Sequence, residues 1–190
     1  MQGDLILFVP KIPMDYKLRF MEKIYTLLLL TASFNSFADT PYIGVDYMMS
    51  DIKISNENAT PKSALIRAGI SNNNMAFEAH YLASSSSDHI YNTEFNLDKS
   101  LALYFVMQSD VVNGFGLDVS LGYAKNQVVV SNPSASINGD YKYDGFSWGV
   151  AMHQQIPYLE NTQIRLGYQS LFKGDDIEII GYTLGFVYHF

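Results

Sequence analysis

From residue 42 onward the chain alternates large apolar residues with small or polar ones at a period of two, and no stretch carries the spacing of an amphipathic helix. Period two sends successive side chains to opposite faces of an extended strand. Residues 42–49 place Ile43, Val45, Tyr47 and Met49 on one face and Gly44 and Asp46 on the other. Residues 63–71 set Ala64, Ile66, Ala68 and Ile70 against Arg67 and Gly69, and residues 75–83 set Met75, Phe77, Ala79 and Tyr81 against Glu78 and His80. The fourth run, the least clean, sets Leu101, Leu103, Phe105 and Met107 against Ala102, Tyr104 and Val106. The fifth is the clearest, with Phe115, Leu117, Val119, Leu121 and Tyr123 against Gly116, Asp118, Ser120, Gly122 and Ala124. Three more follow: Phe146, Trp148, Val150 and Met152; Ile164, Leu166 and Tyr168; and Ile180 to Phe190 at alternate positions. Eight strands are therefore predicted, each near the roughly 9–11 residues that a tilted membrane-crossing strand needs.

The predicted connections alternate in length. Residues 50–62, 84–99 and 126–142 are long, with part of 84–99 read as strand, and 173–176 is short. Residues 72–74, 109–114 and 156–161 join the strands at the other end by short turns. Long connections on one rim and short turns on the other are the habit of outer-membrane barrels. Both ends of the strand region then lie on the short-turn, periplasmic side.

A soluble barrel of lipocalin type also alternates, so the sign of the pattern decides. There large apolar groups point inward; here the second face is rich in Gly, Ala and Ser, which suits the cramped interior of an eight-stranded barrel. The apolar face then meets lipid, and closure satisfies every backbone group. No Gly-x-Trp opens the first strand, against the lipocalin reading. Tyr47, Tyr81, Tyr123 and Tyr168 fall on the apolar face near the outer strand ends, and Phe77, Phe115, Tyr188 and Phe190 near the opposite ends, as two interfacial aromatic girdles would require.

The start of the chain reads as an address. Residues 24–31 (IYTLLLLT) are too short to span a bilayer as a helix; Lys23 precedes them and Ser36-Phe37-Ala38 follows with small residues where a signal peptidase reads. A signal peptide over 21–38 is expected, with 1–20 a non-native upstream extension from an over-long gene model. The barrel domain is 39–190, whose eight Lys/Arg and sixteen Asp/Glu give a charge of −8.

Composition removes several function classes. The 190 residues carry a net charge of −7 and no Lys/Arg cluster, so no nucleic-acid partner is expected. With no cysteine there is no disulfide, thiolate metal site, cysteine nucleophile or lipidated cysteine. Four scattered histidines without paired spacing imply no metal, and no cofactor is implied. Tyr (14) outnumbers Phe (12), as suits surfaces apolar in the middle and wet at the rim.

The last eight residues read polar-x-Gly-x-x-aromatic-x-Phe. Thr183, Gly185, Tyr188 and Phe190 occupy the positions of the assembly signal that outer-membrane barrels present to their insertion machinery. With the eight strands, this chain resembles the small outer-membrane barrels of the OmpA-like transmembrane and OmpX/Opa types. The resemblance implies an all-β, eight-stranded antiparallel up-and-down barrel integral to the bacterial outer membrane. Outer-membrane lipids and lipopolysaccharide would surround it. The barrel-assembly machinery and periplasmic chaperones would serve its biogenesis, and a host or other surface ligand would meet its loops.

Inside, Asp46, Arg67, Glu78, Asp118 and Arg165 lie at similar heights from the periplasmic end and form one expected ion-pair layer, because unpaired buried ions cost several kcal/mol. A plug packing a closed lumen is the plain reading, and a narrow gated pore the alternative. Under the plug reading Arg67→Ala should lower thermal stability strongly. A lipid A-modifying enzyme is the competing class, with His80, the Ser84 to Ser87 run, His89 and Glu94 as candidate Ser-His-acid groups. No His-x-Ser pair like that of the deacylases supports it, and His153 and His189 read as inward packing. The acidic outer connections (Asp51, Glu57, Asp88, Glu94, Asp140, Asp175, Asp176) suit a solvated rim, divalent-cation bridging to lipopolysaccharide, or contact with a partner surface.

Overall fold

The computed structural model describes residues 40–54, 57–133 and 138–190. The expected signal peptide (21–38) and upstream extension (1–20) lie outside the described residues. The described chain forms β1 (Thr40–Ile54), β2 (Glu57–Ala59), β3 (Lys62–Asn72), β4 (Met75–Ser86), β5 (Asp88–Ile90), β6 (Thr93–Gln108), β7 (Phe115–Ser131), β8 (Gly139–Gln155), β9 (Thr162–Lys173) and β10 (Ile177–His189). Eight of these pair antiparallel in the order β1-β3-β4-β6-β7-β8-β9-β10. β10 then returns to β1, from Tyr42↔His189 to Ile54↔Ile177, and closes the barrel. The two short strands are additions on the outer rim, β2 against the end of β1 and β5 against the start of β6.

The periplasmic turns are tight because their chemistry permits left-handed backbone. Asn73, Asn113 and Asn161 have φ of 52°, 54° and 64°, a region that Asn tolerates better than most residues. Gly114 follows Asn113 with φ 80°, so the β6–β7 turn uses an Asn-Gly pair for consecutive positive angles.

The strands run longer than the sequence reading expects: β7 and β8 have 17 residues each and β6 has 16. The segment read as the long connection 126–142 is mostly ladder, paired from Asn126↔Tyr143 to Val130↔Gly139. Much of 50–62 and 84–99 is strand likewise, so the extended outer loops become a correction. The physical reason is that an antiparallel pair keeps its backbone hydrogen bonds in water as well as in lipid. The β-branched run Val128-Val129-Val130 also favours extension.

Along these strands the pattern changes sign. In the periplasmic two-thirds the outward residues are apolar and strongly exposed, Leu103 and Phe146 at 64% and Phe186 at 57%. Such a continuous band is foreign to a soluble monomer. On β1 it runs from Pro41 to Met49, about 26 Å along the strand at roughly 3.3 Å per residue, or about 20 Å once tilted; outer-membrane barrels carry a band of about 25 Å. Beyond it the outward positions are Asp51, Lys53, Lys99, Lys125 and Glu178, while Ile52, Phe95, Leu97, Val128, Val130 and Ile179 are buried inside. Three ladders contain a register shift at this transition, beside Asp98 on β6, Leu171 on β9 and Ser85 on β4. One extra residue reverses which parity faces inward. On β6, Ser100, Ala102 and Tyr104 are buried below the bulge and Phe95 and Leu97 above it. This is why that strand reads as the least clean.

Candidate functional site

The interior of the membrane-spanning zone holds one connected polar cluster, built by strands on all sides of the bore. β4 supplies Glu78 and His80, β9 supplies Arg165 and Gln169, β1 supplies Tyr42 and Asp46, β3 supplies Arg67, β7 supplies Asp118 and β8 supplies His153. All are at most 6% exposed. Arg67 holds Asp46 with two nitrogens, Nε at 2.8 Å and Nη2 at 2.7 Å from Oδ2, and its Nη1 lies 3.6 Å from Glu78 Oε2. Arg165 Nη1 donates to Glu78 Oε1 at 2.7 Å and Nη2 reaches Asp118 Oδ2 at 3.0 Å. His153 Nδ1 stands 3.4 Å from the other oxygen of Asp118.

Three carboxylates thus meet two guanidinium groups; neutral donors gather on Glu78, while, among the described residues, Asp46 Oδ1, Asp118 Oδ1 and Arg165 Nε make no hydrogen bond to another side chain or backbone group. The Tyr42 hydroxyl donates to Glu78 Oε1 at 2.7 Å. The Gln169 amide nitrogen lies 3.2 Å from His80 Nδ1, which makes that nitrogen an acceptor. The ring then carries its proton on Nε2 and donates to Glu78 Oε2 at 2.6 Å. Glu78 is therefore the hub, with Arg165, Tyr42, His80 and Arg67 around one carboxylate. In the strand order β4 and β9 are four apart, so Glu78–Arg165 and His80–Gln169 are two bonds across the full diameter. Next to them Tyr104 packs on His80 with ring centroids 4.7 Å apart and meets Ser147 Oγ at 2.7 Å.

Glycine makes room for these long side chains in so narrow a bore. Across the ladders Arg67 faces Gly44, Tyr42 faces Gly69, His153 faces Gly116, and Asp46 and Arg165 both face Gly185. A Cβ on Gly69 would lie 2.4 Å from the Tyr42 ring, and one on Gly185 would lie 2.2 Å from the Val45 carbonyl oxygen. Tyr42, Tyr104, Gln169 and Ser147 are members of the cluster that sequence reasoning missed. Cross-strand pairing of a large polar residue with glycine is the signal that would have found them, but it needs the register.

The five charged residues expected in one layer, Asp46, Arg67, Glu78, Asp118 and Arg165, are all brought together here. Tyr47, Tyr81, Tyr123, Phe77 and Phe115 project outward and exposed, and Tyr168 also projects outward, its ring centroid 5.5 Å from that of Tyr182. In the terminal strand Thr183 and Gly185 face the lumen. Tyr188 and Phe190 face outward as an edge-to-face pair at 5.3 Å, with the Phe190 amide donating to Pro41 O at 3.0 Å. The candidate catalytic groups are dispersed. His80 is committed to the lumen cluster, Ser84 bonds Asn96, and His89 lies exposed on β5 opposite Glu94. Among the described residues no Ser–His hydrogen bond joins them. His189 stacks beside Tyr42 with ring centroids 5.1 Å apart.

Above the cluster, toward the outer rim, Met48, Leu65 and Leu82 fill the bore, followed by Ile52, Leu97, Val128, Leu171 and Ile179, all at most 2% exposed. Two materials therefore occupy one lumen, an ion cluster below and an apolar core above.

The model of the outer membrane protein beta-barrel domain matches residues 24–190. No protein of curated function matches the sequence. Among solved structures the chain is similar to Ail, the attachment invasion locus protein of Yersinia pestis, at 15% identity and a TM-score of 0.60, over 80% of this chain and 98% of that one. It is also similar to the Neisserial surface protein A, at 16% identity and a TM-score of 0.58 over 79% and 97%. The N-terminal β-barrel domain of Pseudomonas aeruginosa OprF gives 13% and 0.50 over 77% and 97%. At these identities the likeness is one of fold.

Proposed function

This chain belongs to the outer membrane protein β-barrel family, and from that premise we propose that it is a closed, non-conducting and non-enzymatic barrel whose role is carried by its surface-exposed outer end. It is an integral protein of the bacterial outer membrane. The observation that carries the further reading is the doubly filled lumen. An ion passing through would have to break the Glu78–Arg165 and His80–Gln169 contacts across the bore and then cross the layer of Met48, Leu65, Ile52 and Leu97. Opening the first breaks a buried ion pair, at a cost of about 3–5 kcal/mol, and the second offers no polar group to replace hydration.

What remains accessible from outside is the rim formed by β2, β5 and the extended ends of β6 to β8. Here Thr60 donates both its amide and its hydroxyl to Asp88 Oδ2, at 2.8 and 2.9 Å, and so ties the first outer connection to the second. Those hydrogen bonds, from the Thr60 amide foremost, hold the Asp88 carboxyl below its ordinary value. A rim stiffened in this way suits contact with a surface partner. Planar-bilayer recording of the purified protein tests the reading: no unitary conductance is expected, and discrete openings would refute the closed lumen.

A further inference from the structure

Asparagine is followed by glycine twice in this chain, at Asn113-Gly114 and Asn138-Gly139. The pair carries a reaction of its own. The backbone nitrogen of the second residue can attack the side-chain carbonyl carbon of the first, and glycine leaves that nitrogen unshielded because it has no Cβ. Both asparagines are exposed, yet the fold sets them in opposite ways.

Asn113 is clamped. It sits at φ 54° in a two-residue turn closed by Val112 and Phe115, whose amides donate to each other's carbonyls at 2.9 and 3.0 Å. Gln155 N donates to Gly114 O at 2.8 Å, and Gln154 Nε2 reaches Asn113 O at 3.4 Å. Bringing Gly114 N onto the Asn113 side chain requires turning the peptide between them, and each of these bonds resists the turn.

Asn138 stands just before β8, and Gly139 is the end rung of the β7–β8 ladder, opposite Val130. An end rung opens at small cost and leaves the rest of the ladder in place. The space beside Gly139 is open: a Cβ there would have the Tyr141 ring as its nearest neighbour, at 3.8 Å. The Asn132 amide donates to Asn138 Oδ1. Negative charge gathers on that oxygen as the carbonyl is attacked, so the N–H stands where an oxyanion hole would put one. Asn132 itself is spared, because Pro133 follows and its nitrogen has no hydrogen to give up.

We infer that Asn138 is a site of spontaneous, irreversible modification at the end of the β7–β8 hairpin, while the turn protects Asn113. Gly139 N gives its proton to solvent and bonds to Asn138 Cγ. The Cγ–Nδ2 bond breaks, and ammonia leaves with a proton taken from solvent. Water then opens the five-membered imide at one of its two carbonyls. Breaking the new Cγ–N bond leaves aspartate. Breaking the original peptide C–N bond leaves isoaspartate, with the chain running through Cγ. Either product puts a carboxylate where an amide stood, two residues from Asp140. Isoaspartate also lengthens the backbone by one methylene, so that Gly139 no longer meets Val130 in register. The hairpin end thus changes charge and pairing as the molecule ages.

The test incubates the purified barrel in detergent micelles, near neutral pH and at body temperature, in water enriched in heavy oxygen. Peptide mapping by mass spectrometry, with digestion in ordinary water, counts aspartate and isoaspartate at both positions. The heavy oxygen marks conversions made before digestion. Asn138 is expected to convert at least about tenfold faster than Asn113, with isoaspartate among the products. In protein unfolded in urea both pairs lose their surroundings, and the two rates should come within about twofold. Gly139→Ala should slow conversion at Asn138 about tenfold, since a methyl then covers the nitrogen. Equal rates in the folded barrel, faster conversion at Asn113, the same tenfold gap in urea, or an undiminished rate in Gly139→Ala would each overturn the site. So would a folded Asn138 that stays intact while the unfolded one converts. A heat-modifiable gel shift shows that each incubated sample is still a barrel. The closed lumen stands or falls separately, by conductance.

Discussion

The membrane zone and the outer zone of this barrel are made by the same strands with opposite rules. On β7, Phe115 to Tyr123 send apolar side chains outward and Asp118 and Ser120 inward; a few residues on, Lys125 points outward and Val128 and Val130 point inward. The lumen is filled in both zones, so the interior does not demand one chemistry. The medium outside sets the outward face, and the inward face takes the contrasting one. That contrast is useful, because a strand apolar on both faces would have no preferred facing and could slip by one residue at little cost.

The comparison can be broken at its inner side first. Arg165→Met would leave Asp46, Glu78 and Asp118 facing Arg67 alone, and should cost about 3–5 kcal/mol in urea unfolding from detergent. Glu78→Gln should cost clearly less despite touching more partners, since two carboxylates then face two guanidinium groups. Equal losses for the two would mean that geometry rather than charge balance holds the cluster. The outward face gives the next largest effect. Leu103→Lys, in mid-belt, should cost about 2–4 kcal/mol in a lipid-reconstituted barrel. The same change at Val129, outward on the extension of β7, should stay within about 0.5 kcal/mol. Similar costs at both positions would erase the boundary between the zones.

Gly185→Ala comes third, at about 1–3 kcal/mol by the same unfolding measurement, because the new methyl meets the Val45 carbonyl and cannot be relieved by a rotamer change. A neutral result would assign Gly185 to assembly rather than packing. The smallest effect belongs to the outer rim. The Asp88 carboxyl is held below its ordinary value of 3.8, so the tie to Thr60 is complete above that value and lost as pH falls through the lowered one. Protection of the Thr60 amide from hydrogen exchange, taken relative to its intrinsic rate at each pH, should fall once the pH drops below 3.8, and a flat protection profile would show that the tie does not order the rim.

Much of this fold is legible in the sequence. The faces of the eight strands follow from period two at residues such as Leu117 and Asp118, and the short turns from Asn and Gly. What escapes is whatever depends on register and shear. Glu78 and Arg165 are 87 positions apart, and their contact across the bore needs the closed barrel before it can be seen. Tyr42 reads as one more aromatic until Gly69 is known to lie opposite. The outer zone escapes because the bulges beside Asp98, Leu171 and Ser85 reverse parity, so Phe95 and Leu97 fall out of phase with Ser100 and Ala102. In the site, residue types predicted the charges, but the neutral donors gathered on Glu78 carry no such label.

The two bonds across the diameter also act as proofreading. Sliding a strand against its neighbour by two residues keeps apolar groups toward lipid and leaves the ladder intact, so neither lipid nor backbone rejects it. Such a slide would carry Glu78 roughly 6–7 Å from Arg165, Arg67 and Tyr42 at once, stranding charges in the bore. The cluster thus makes one closure register far cheaper than its nearest in-phase competitors. The share of that penalty carried by Glu78–Arg165 and His80–Gln169 exists only once β9 is in place.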